Sequence, residues 1–493
     1  MIPIWIATIA VLDGTGISKT LYFSDGAYID DAWNYYEPRM VQPSLVKVSP
    51  SDGGVFNVFS SPSIGEIELV NIDGGLNYLA DYAVDNGNVT LSLMDSDGQK
   101  IDYLTGKISA THSTDKSIFL TIRSMSELLS RTHTNTKYAG TNVLPAGTEG
   151  VTDIKGNLKP KVFGSVVNAA PVFVNTSRLI YQFSDRNTCT VSAIYDKGAA
   201  LTLGTTFTFA NFAAFETTAV TAGTFNRCCG FVKLGVTPTG TITGDAQDST
   251  TLAGDTFNEI VNELAFAPAI TFNSASKTTL NAVGAIGIYV TGETSTASLL
   301  GQIVASCGAY WFFVGNVIYA NLIALSTTPT LGITDSEIVS IERVASGLGS
   351  NGVPITACTI SYDKIETVQA VTELAGSVTD ARKGYLSLQT RNSFIFDNAV
   401  LARHPLAENI NIDSALRSAV DANAVGTRLL NLSKVRVDVV HITAVVSEIP
   451  ALTLGQGIIV YTPRLGYSDG KIFTVTGVEI DAKRKRIVIE SIG

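Results

Sequence analysis

Short apolar runs alternate with tight-turn dipeptides through the first hundred positions. Gly65 to Val70 (Gly-Glu-Ile-Glu-Leu-Val) and Val89 to Met94 (Val-Thr-Leu-Ser-Leu-Met) follow period two, and Lys116 to Ile122 continues the pattern, so each is predicted to be a half-buried strand. The apolar opening from Ile2 to Leu12 is cut off by Asp13, is too short to span a bilayer and has no basic residue before it, so it reads as a strand and not as a signal peptide. Asp13-Gly14, Asp25-Gly26, Asp52-Gly53, Asp73-Gly74, Asn86-Gly87 and Asp97-Gly98 are expected to supply the positive φ of hairpin turns. A compact antiparallel β domain follows from this, closing on a short helix capped by Ser124 and Glu127. Thr132 to Gly150, rich in Thr, Asn and Gly, is the first linker candidate.

Strand patterning continues from Lys161 to about Gly244, including Pro171 to Val174 and Leu201 to Leu203. The period then switches. Thr256 and Glu259 have capping-box spacing, and Phe257, Ile260, Val261 and Leu264 fall at i, i+3, i+4 and i+7, which predicts an amphipathic helix. A second helix carries Leu300, Ile303, Val304 and Cys307 on one face, with Gly308 placed to end it. Trp311 to Val314 and Val317 to Ala320 flank Gly315-Asn316, a loop suited to a type II′ hairpin. Residues 250 to 325 therefore read as a small α+β insertion. Beyond them lie strands at Thr356 to Tyr362, Val435 to Thr443, Gly457 to Tyr461, Lys471 to Val478 and Arg486 to Ile492, with a helix near Asp413 to Leu432. No fixed-period repeat is present.

Composition sharpens this picture. A chain of 493 residues implies several domains, and a charged fraction of 16% beside 45% hydrophobic residues excludes charge-driven disorder. Such low charge, with a mean hydropathy of +0.25, leaves a surface of neutral residues suited to assembly. The net charge of -10 offers no field to recruit nucleic acid or an anionic membrane. The fold class is mainly β and multidomain, divided at residues 1–135 (β), 136–249 (β), 250–335 (small α+β) and 336–493 (β).

Candidate chemistry is sparse. His112, His133, His404 and His441 lack metal-ligand spacing and are expected at the surface or in loops. Cys189, Cys228, Cys229, Cys307 and Cys358 form neither a disulfide framework nor a zinc pattern, and read as reduced, buried thiols. The vicinal Cys228-Cys229 is read as structural, since bridging neighbours strains the peptide. No nucleophile elbow, phosphate loop or dinucleotide fingerprint occurs. Glu66 with Glu68, or Asp30 with Asp31, could supply two acids for glycoside hydrolysis, but also fit solvent-facing positions. Lys483 to Arg486 is the one basic cluster, between two strands, where a charged turn is expected. Trp5, Trp33 and Trp311 lie in or beside apolar runs and are expected in cores. No catalytic, cofactor-binding or metal-ligating residue is assigned.

Four groups of residues in order carry a resemblance: Tyr35-Tyr36-Glu37-Pro38-Arg39-Met40 with Ile64 to Leu76; Lys159 to Val172 with Tyr195-Asp196-Lys197-Gly198; Ser298 to Trp311; and Tyr461 to Gly466 with Gly470 to Val478. Together they resemble the baseplate hub proteins of long-tailed phages, in particular Mu-like phages with non-contractile tails and gene transfer agents. The resemblance implies a structural, non-enzymatic hub without cofactors, a homotrimer at the virion's tail tip. Each subunit would give two β-barrels, one N-terminal and one C-terminal, so that six match the six-fold tail tube. The implied partners are further copies of the chain, a distal tail or tail tube protein, a tape-measure protein and a central tip or fibre protein. DNA would pass only in transit, without stable binding, and the protein would be made in the host cytoplasm without a signal peptide. Glu37, Arg39, Gly164, Asn168, Pro171 and Arg464 would be fold or interface positions. Two other readings stand beside it: a β-rich glycan-binding or adhesion module, and a polysaccharide hydrolase using one of the carboxylate pairs.

Overall fold

The computed structural model describes residues 4–42, 46–48, 55–56, 65–85, 87–94, 100–265, 269–445, 452–481, 484 and 486–493. It is β-rich, with 43% strand against 18% helix. Among the described residues no helix is long and apolar enough to cross a membrane.

The first third forms a seven-stranded antiparallel sheet in the order Ser18–Ser24, Ile4–Leu12, Asn88–Met94, Lys100–Ser113, Ser117–Ser124, Gly65–Val70, Met40–Gln42. Alternation works as predicted in Gly65–Val70, where Ile67 and Leu69 are buried and Glu66 is exposed. The sheet curls until its two edges nearly meet. Glu37 lies between them, donating its N–H to Tyr22 O at 3.0 Å and accepting from Ser24 N–H at 2.8 Å, while Arg39 O accepts from Val70 N–H at 2.8 Å. The strip from Tyr35 to Gln42 thus serves both edges and brings the barrel close to closure.

Residues 161–290 build two five-stranded sheets. One runs Ala199–Ala200, Thr190–Asp196, Ile242–Gln247, Lys161–Ala169, Gly287–Val290; the other runs Val172–Asn175, Ile180–Gln182, Phe231–Leu234, Thr224–Cys228, Thr202–Thr206. Val162, Val191 and Ile194 from the first meet Phe225 and Val232 from the second in a shared core. Lys197 and Gly198, both at positive φ, make the tight turn between Thr190–Asp196 and Ala199–Ala200.

The α+β unit holds helices Ala253–Glu263, Ser274–Asn281 and Thr296–Cys307 beside a three-stranded sheet, Thr271–Phe272, Val317–Leu322, Ala309–Val314. Phe257, Ile260 and Val261 are fully buried, worth about 1.5–3 kcal/mol each in removed apolar surface. Thr296–Cys307 ends at Gly308 in the left-handed conformation, as predicted. Gly315 (φ 61°) turns the hairpin whose register pairs Val314 with Val317.

A second seven-stranded sheet closes the chain: Leu331–Thr334, Gly457–Thr462, Tyr467–Asp481, Arg486–Ile492, Val439–Val445 and Ile338–Ala345, in that order. Its seventh member comes from far upstream. Val46–Val48 pairs antiparallel with Tyr467–Asp481, Val48 opposite Val478 and Val46 opposite Ile480. A smaller sheet, Arg391–Phe396, Ala357–Tyr362, Asn409–Ile412, is backed by the helix Ala419–Ser433. One continuous apolar core runs from Trp5 in the first barrel, through the α+β unit, to Ile492 in the last sheet.

Several expectations need correction. Thr256 is not a cap: the helix starts three residues earlier, at Ala253, and the Thr256 hydroxyl is buried inside it without a partner. Glu259 instead accepts from the hydroxyls of Ser249 and Thr250. The expected linker is packed: His133 and Tyr138 are buried, and Asn142 Nδ2 donates to Val174 O at 2.8 Å. The Asp13 turn places its positive φ at Gly16, not Gly14, and of the predicted dipeptides only Gly74 has it; Asp52-Gly53, Asn86 and Asp97-Gly98 lie outside the described residues. Trp5 and Trp311 are core residues, but Trp33 is 86% exposed, at φ 63°. Short helices at Phe212–Thr217, Ser274–Asn281, Asp380–Leu386 and Asn398–Arg403 carry little periodicity and were not foreseen.

Gly164 sits at φ 70° in Lys161–Ala169, and a Cβ there would stand 2.1 Å from the carbonyl oxygen of Ile286. Gly164→Ala is expected to cost about 2–4 kcal/mol, read as a lower denaturation midpoint in urea.

Candidate functional site

Three places in the structure are held by charges gathered from separate segments, and Glu37 and Arg39 lie in the first. The first is the barrel closure. Arg39 N–H donates to Glu37 O at 2.8 Å, a three-residue turn around Pro38 whose fixed φ suits it. At this turn the chain passes from one barrel edge to the other. The Arg39 side chain holds the turn: Nε donates to Glu37 Oε2 at 2.8 Å, and its two terminal nitrogens grip Asp73 at 2.7 and 2.8 Å. Asp73 and Glu37 raise the Arg39 pKa above its ordinary value, and Arg39 holds the Asp73 carboxyl far below the usual range. A groove of about 540 Å³ opens here, lined by Tyr35, Arg39, Ile72 and Asp73 among others. Tyr35 and Ile72 are exposed beside it.

The second place joins the sandwich to the α+β unit. Glu263, at the end of Ala253–Glu263, accepts from Lys161 and Arg186 and lies 3.3 Å from His133 Nε2. His133 is fully buried, its Nδ1 3.1 Å from Thr296 Oγ1 and its ring edge-on to Phe163. His133 lies in a loop, as one half of the expectation has it, but not at the surface: a buried imidazole needs polar partners, and Thr296 and Glu263 supply them. Arg186 reaches Asp248 at 2.5 Å and stacks over Phe163. Burial pushes the Glu263 carboxyl up, but His133, Lys161 and Arg186 more than reverse this and hold it at about 2.

Toward the other end of the strand Lys161–Ala169, Asn168 is fully buried at φ 52° and ties three segments. Its N–H donates to Asp245 Oδ1 at 2.8 Å, its Nδ2 to Thr367 O at 2.6 Å, and its Oδ1 accepts from Thr243 at 2.7 Å. Pro171 is half-buried at the mouth of Val172–Asn175.

The third place is in the last sheet. Asp438 is fully buried, with Arg436 (2.8 and 2.9 Å), Lys471 (2.8 Å) and Tyr467 (2.8 Å) donating to it and Arg343 3.3 Å away. Burial raises its pKa, and the Arg436, Lys471 and Tyr467 donors outweigh that and keep it ionised far below the usual range. Arg464 lies apart from this cluster, half-exposed and 3.3 Å from Asp335.

The structure therefore brings Glu37 and Arg39 together, sets Gly164 and Asn168 on one strand, and leaves Arg464 with a separate partner. Sequence reading missed Asp438 and Glu263. Asp438 had a signal, a lone carboxylate in the apolar run Val437 to Ile442; Glu263 had none, because its partners lie far apart in the chain.

Glu66 and Glu68 both point outward from the first barrel, Glu68 accepting from Ser117 Oγ at 2.8 Å. Asp30 caps its own turn, accepting from Ala32 and Asn34 N–H. All five cysteines are free, with Cys229 less buried than the rest. Arg484 is exposed beside Asp481 in the turn between the last two strands, while Lys483 and Lys485 lie outside the described residues. Among the described residues no group of three or more His, Cys, Asp or Glu side chains could hold a metal ion.

No protein-family model and no curated protein matches the chain. Solved structures that it resembles include a tail protein from Neisseria meningitidis MC58, at 8% identity and TM-score 0.43, covering 99% of this chain and 96% of that one. Another is the 43 kDa tail protein of prophage MuSo2 from Shewanella oneidensis, at 9% identity and TM-score 0.43, covering 99% and 98%. A chain of a native gene transfer agent virion covers 69% of this chain and 84% of its own length, at 12% identity and TM-score 0.40. Identities and TM-scores this low leave function to be argued from the chain itself.

Two outcomes are expected at the buried clusters. Asp438→Ala leaves the surrounding cations uncompensated and should cost about 3–5 kcal/mol in chemical denaturation. Glu263, depressed from 4.5 to about 2, contributes its full stabilisation above pH 4.5 and loses it as pH falls toward 2. The loss should total about 3 kcal/mol, and the stability gap between wild type and Glu263→Gln should shrink over that window.

Proposed function

We propose that this protein is a structural baseplate hub at the tip of a phage tail, working as a homotrimeric ring and not as an enzyme. One observation carries the reading: Val46–Val48, from the first third of the chain, completes the last seven-stranded sheet, so two such sheets sit side by side in one subunit. Three subunits would then present six β-modules to a six-fold tail tube. The ordered motifs that resemble hub proteins support the same reading. In it, residues 1–135 and 336–493 are the ring-forming units, and 136–249 and 250–335 lie between them.

Surface character agrees. Trp33, Ile72 and Leu406 are each more than 70% exposed, apolar surface that other subunits would cover in such a ring. A net charge of -10 suits a conduit that releases DNA, because each phosphate neutralised adds salt-dependent retention. The tail tube, tape-measure and central tip or fibre proteins are the proposed neighbours in the virion.

A second reading has one observation in its favour. Phe394 and Phe396 are exposed and stacked at 5.4 Å on a sheet that also carries Asn409 and Asn411, which would suit a sugar ring packed on the aromatics with amides at its hydroxyls. Binding to a glycan array, lost in Phe394→Ala, would favour that reading.

A ring interface of about 2,000 Å² or more should survive high salt. The expected result is a mass three times that of the chain in high salt, no DNA retention at low salt, and antibody labelling of virions confined to the tail tip. Labelling elsewhere on the virion would remove the hub assignment.

A further inference from the structure

Thr224–Cys228 and Phe231–Leu234 form a hairpin in which Cys228 pairs with Phe231, so its loop is the two residues Cys229 and Gly230. Both have positive φ, 53° and 82°, the pattern of a type I′ turn. Its first position favours Asn, Asp or Gly, and a cysteine there carries a left-handed backbone cost of about 1–2 kcal/mol. Turn propensity therefore does not account for Cys229. The strained turn brings the two sulfurs to 3.0 Å. Cys228 Sγ donates to Thr208 O at 3.3 Å, which leaves Cys229 to donate in the S–H···S contact.

The two thiols differ in access. Cys228 is 1% exposed, packed with Tyr138, Val174, Ile180 and Phe215, and burial with the adjacent Cys229 pushes its pKa up to about 12. Cys229 is half-buried at the turn. Cys189, Cys307 and Cys358 are buried elsewhere.

We propose that Cys228 and Cys229 form a redox-active vicinal dithiol that is oxidised reversibly by small-molecule disulfides of the glutathione type. Cys229, as thiolate, attacks one sulfur of the disulfide, forming a mixed disulfide and releasing one small thiol. Cys228 then attacks the Cys229 sulfur, its proton passing to the departing thiolate, which closes the protein disulfide and releases the second small thiol. In sum, two protein thiols and one small disulfide become one protein disulfide and two small thiols. Neighbouring Cα atoms stand about 3.8 Å apart across a trans peptide, below the usual disulfide range, so the bond is strained and readily reduced again. The reaction switches the hairpin between an open dithiol and a closed ring.

The test incubates the folded protein with oxidised glutathione, quenches, denatures it and counts thiols, with the intact mass measured in parallel. Two of the five thiols should be lost, the mass should fall by two hydrogens, and dithiothreitol should restore both. Cys229→Asn keeps a residue suited to the turn; with its circular dichroism unchanged, it should retain all four remaining thiols. Five surviving thiols in the wild type, a stable glutathione adduct in place of the ring, or thiol loss in folded Cys229→Asn would each overturn the proposal.

Discussion

Backbone N–H and C=O groups along a sheet edge must find partners, and this chain meets that demand by lending short segments from one module to another. Glu37 sits between the two edges of the first barrel. Gly287–Val290 leaves the α+β unit to pair with Lys161–Ala169 in the sandwich. Val167 bridges to Ile365, Ile286 to Leu416 and Thr132 to Ser295, so each module is completed partly by residues belonging elsewhere. The first barrel, the α+β unit and the last sheet share one continuous core, while the sandwich keeps a core of its own.

Charge is scarce in this chain, and Asp438 and Glu263 each gather a set of donors. Asp438 collects several cationic and hydroxyl donors, and Glu263 is shared by Lys161, Arg186 and His133. A buried carboxylate with one partner would bear a desolvation cost that a single ion pair seldom offsets. With several donors it stays ionised and fixes the relative placement of the strands and helices that supply them. Such clusters therefore fix packing as well as adding to stability.

Elements whose apolar period is complete were legible in the sequence. Gly65–Val70, Thr296–Cys307 with Gly308, and the Gly315-Asn316 hairpin stand where the residues place them, because burial of one face decides each. Helices of six to eight residues were not legible, since two turns hold too few apolar positions to define a face. Thr256 misled because capping spacing was read without regard to Ala253 and Gly254, which the helix buries ahead of it. Trp33 misled for another reason: its apolarity suggested a core, but its turn is set by Asp30, which accepts from Asn34 and turns the tryptophan outward. Of the residues carrying the three charged clusters, Glu37 and Arg39 were visible as a local motif. Glu263 was not, because His133, Lys161 and Arg186 arrive from segments that only the tertiary fold brings near, and Asp438 showed only as a lone carboxylate in an apolar run, with Arg436 as its one local partner.

The strand Val46–Val48 has a kinetic consequence. Its partner residues Val478 to Ile480 lie more than four hundred positions later in the chain. During synthesis the early strand leaves the ribosome long before the edge it joins exists, and it waits unpaired while the intervening modules fold. Contacts of such separation reward the chain only after the whole loop between them is closed, so this pairing belongs to the last events of folding. Until then the side of Val478 to Ile480 beyond the reach of Gly457–Thr462 stays open to strands of other chains, and a crowded population of nascent subunits is exposed to exchange of that segment between neighbours.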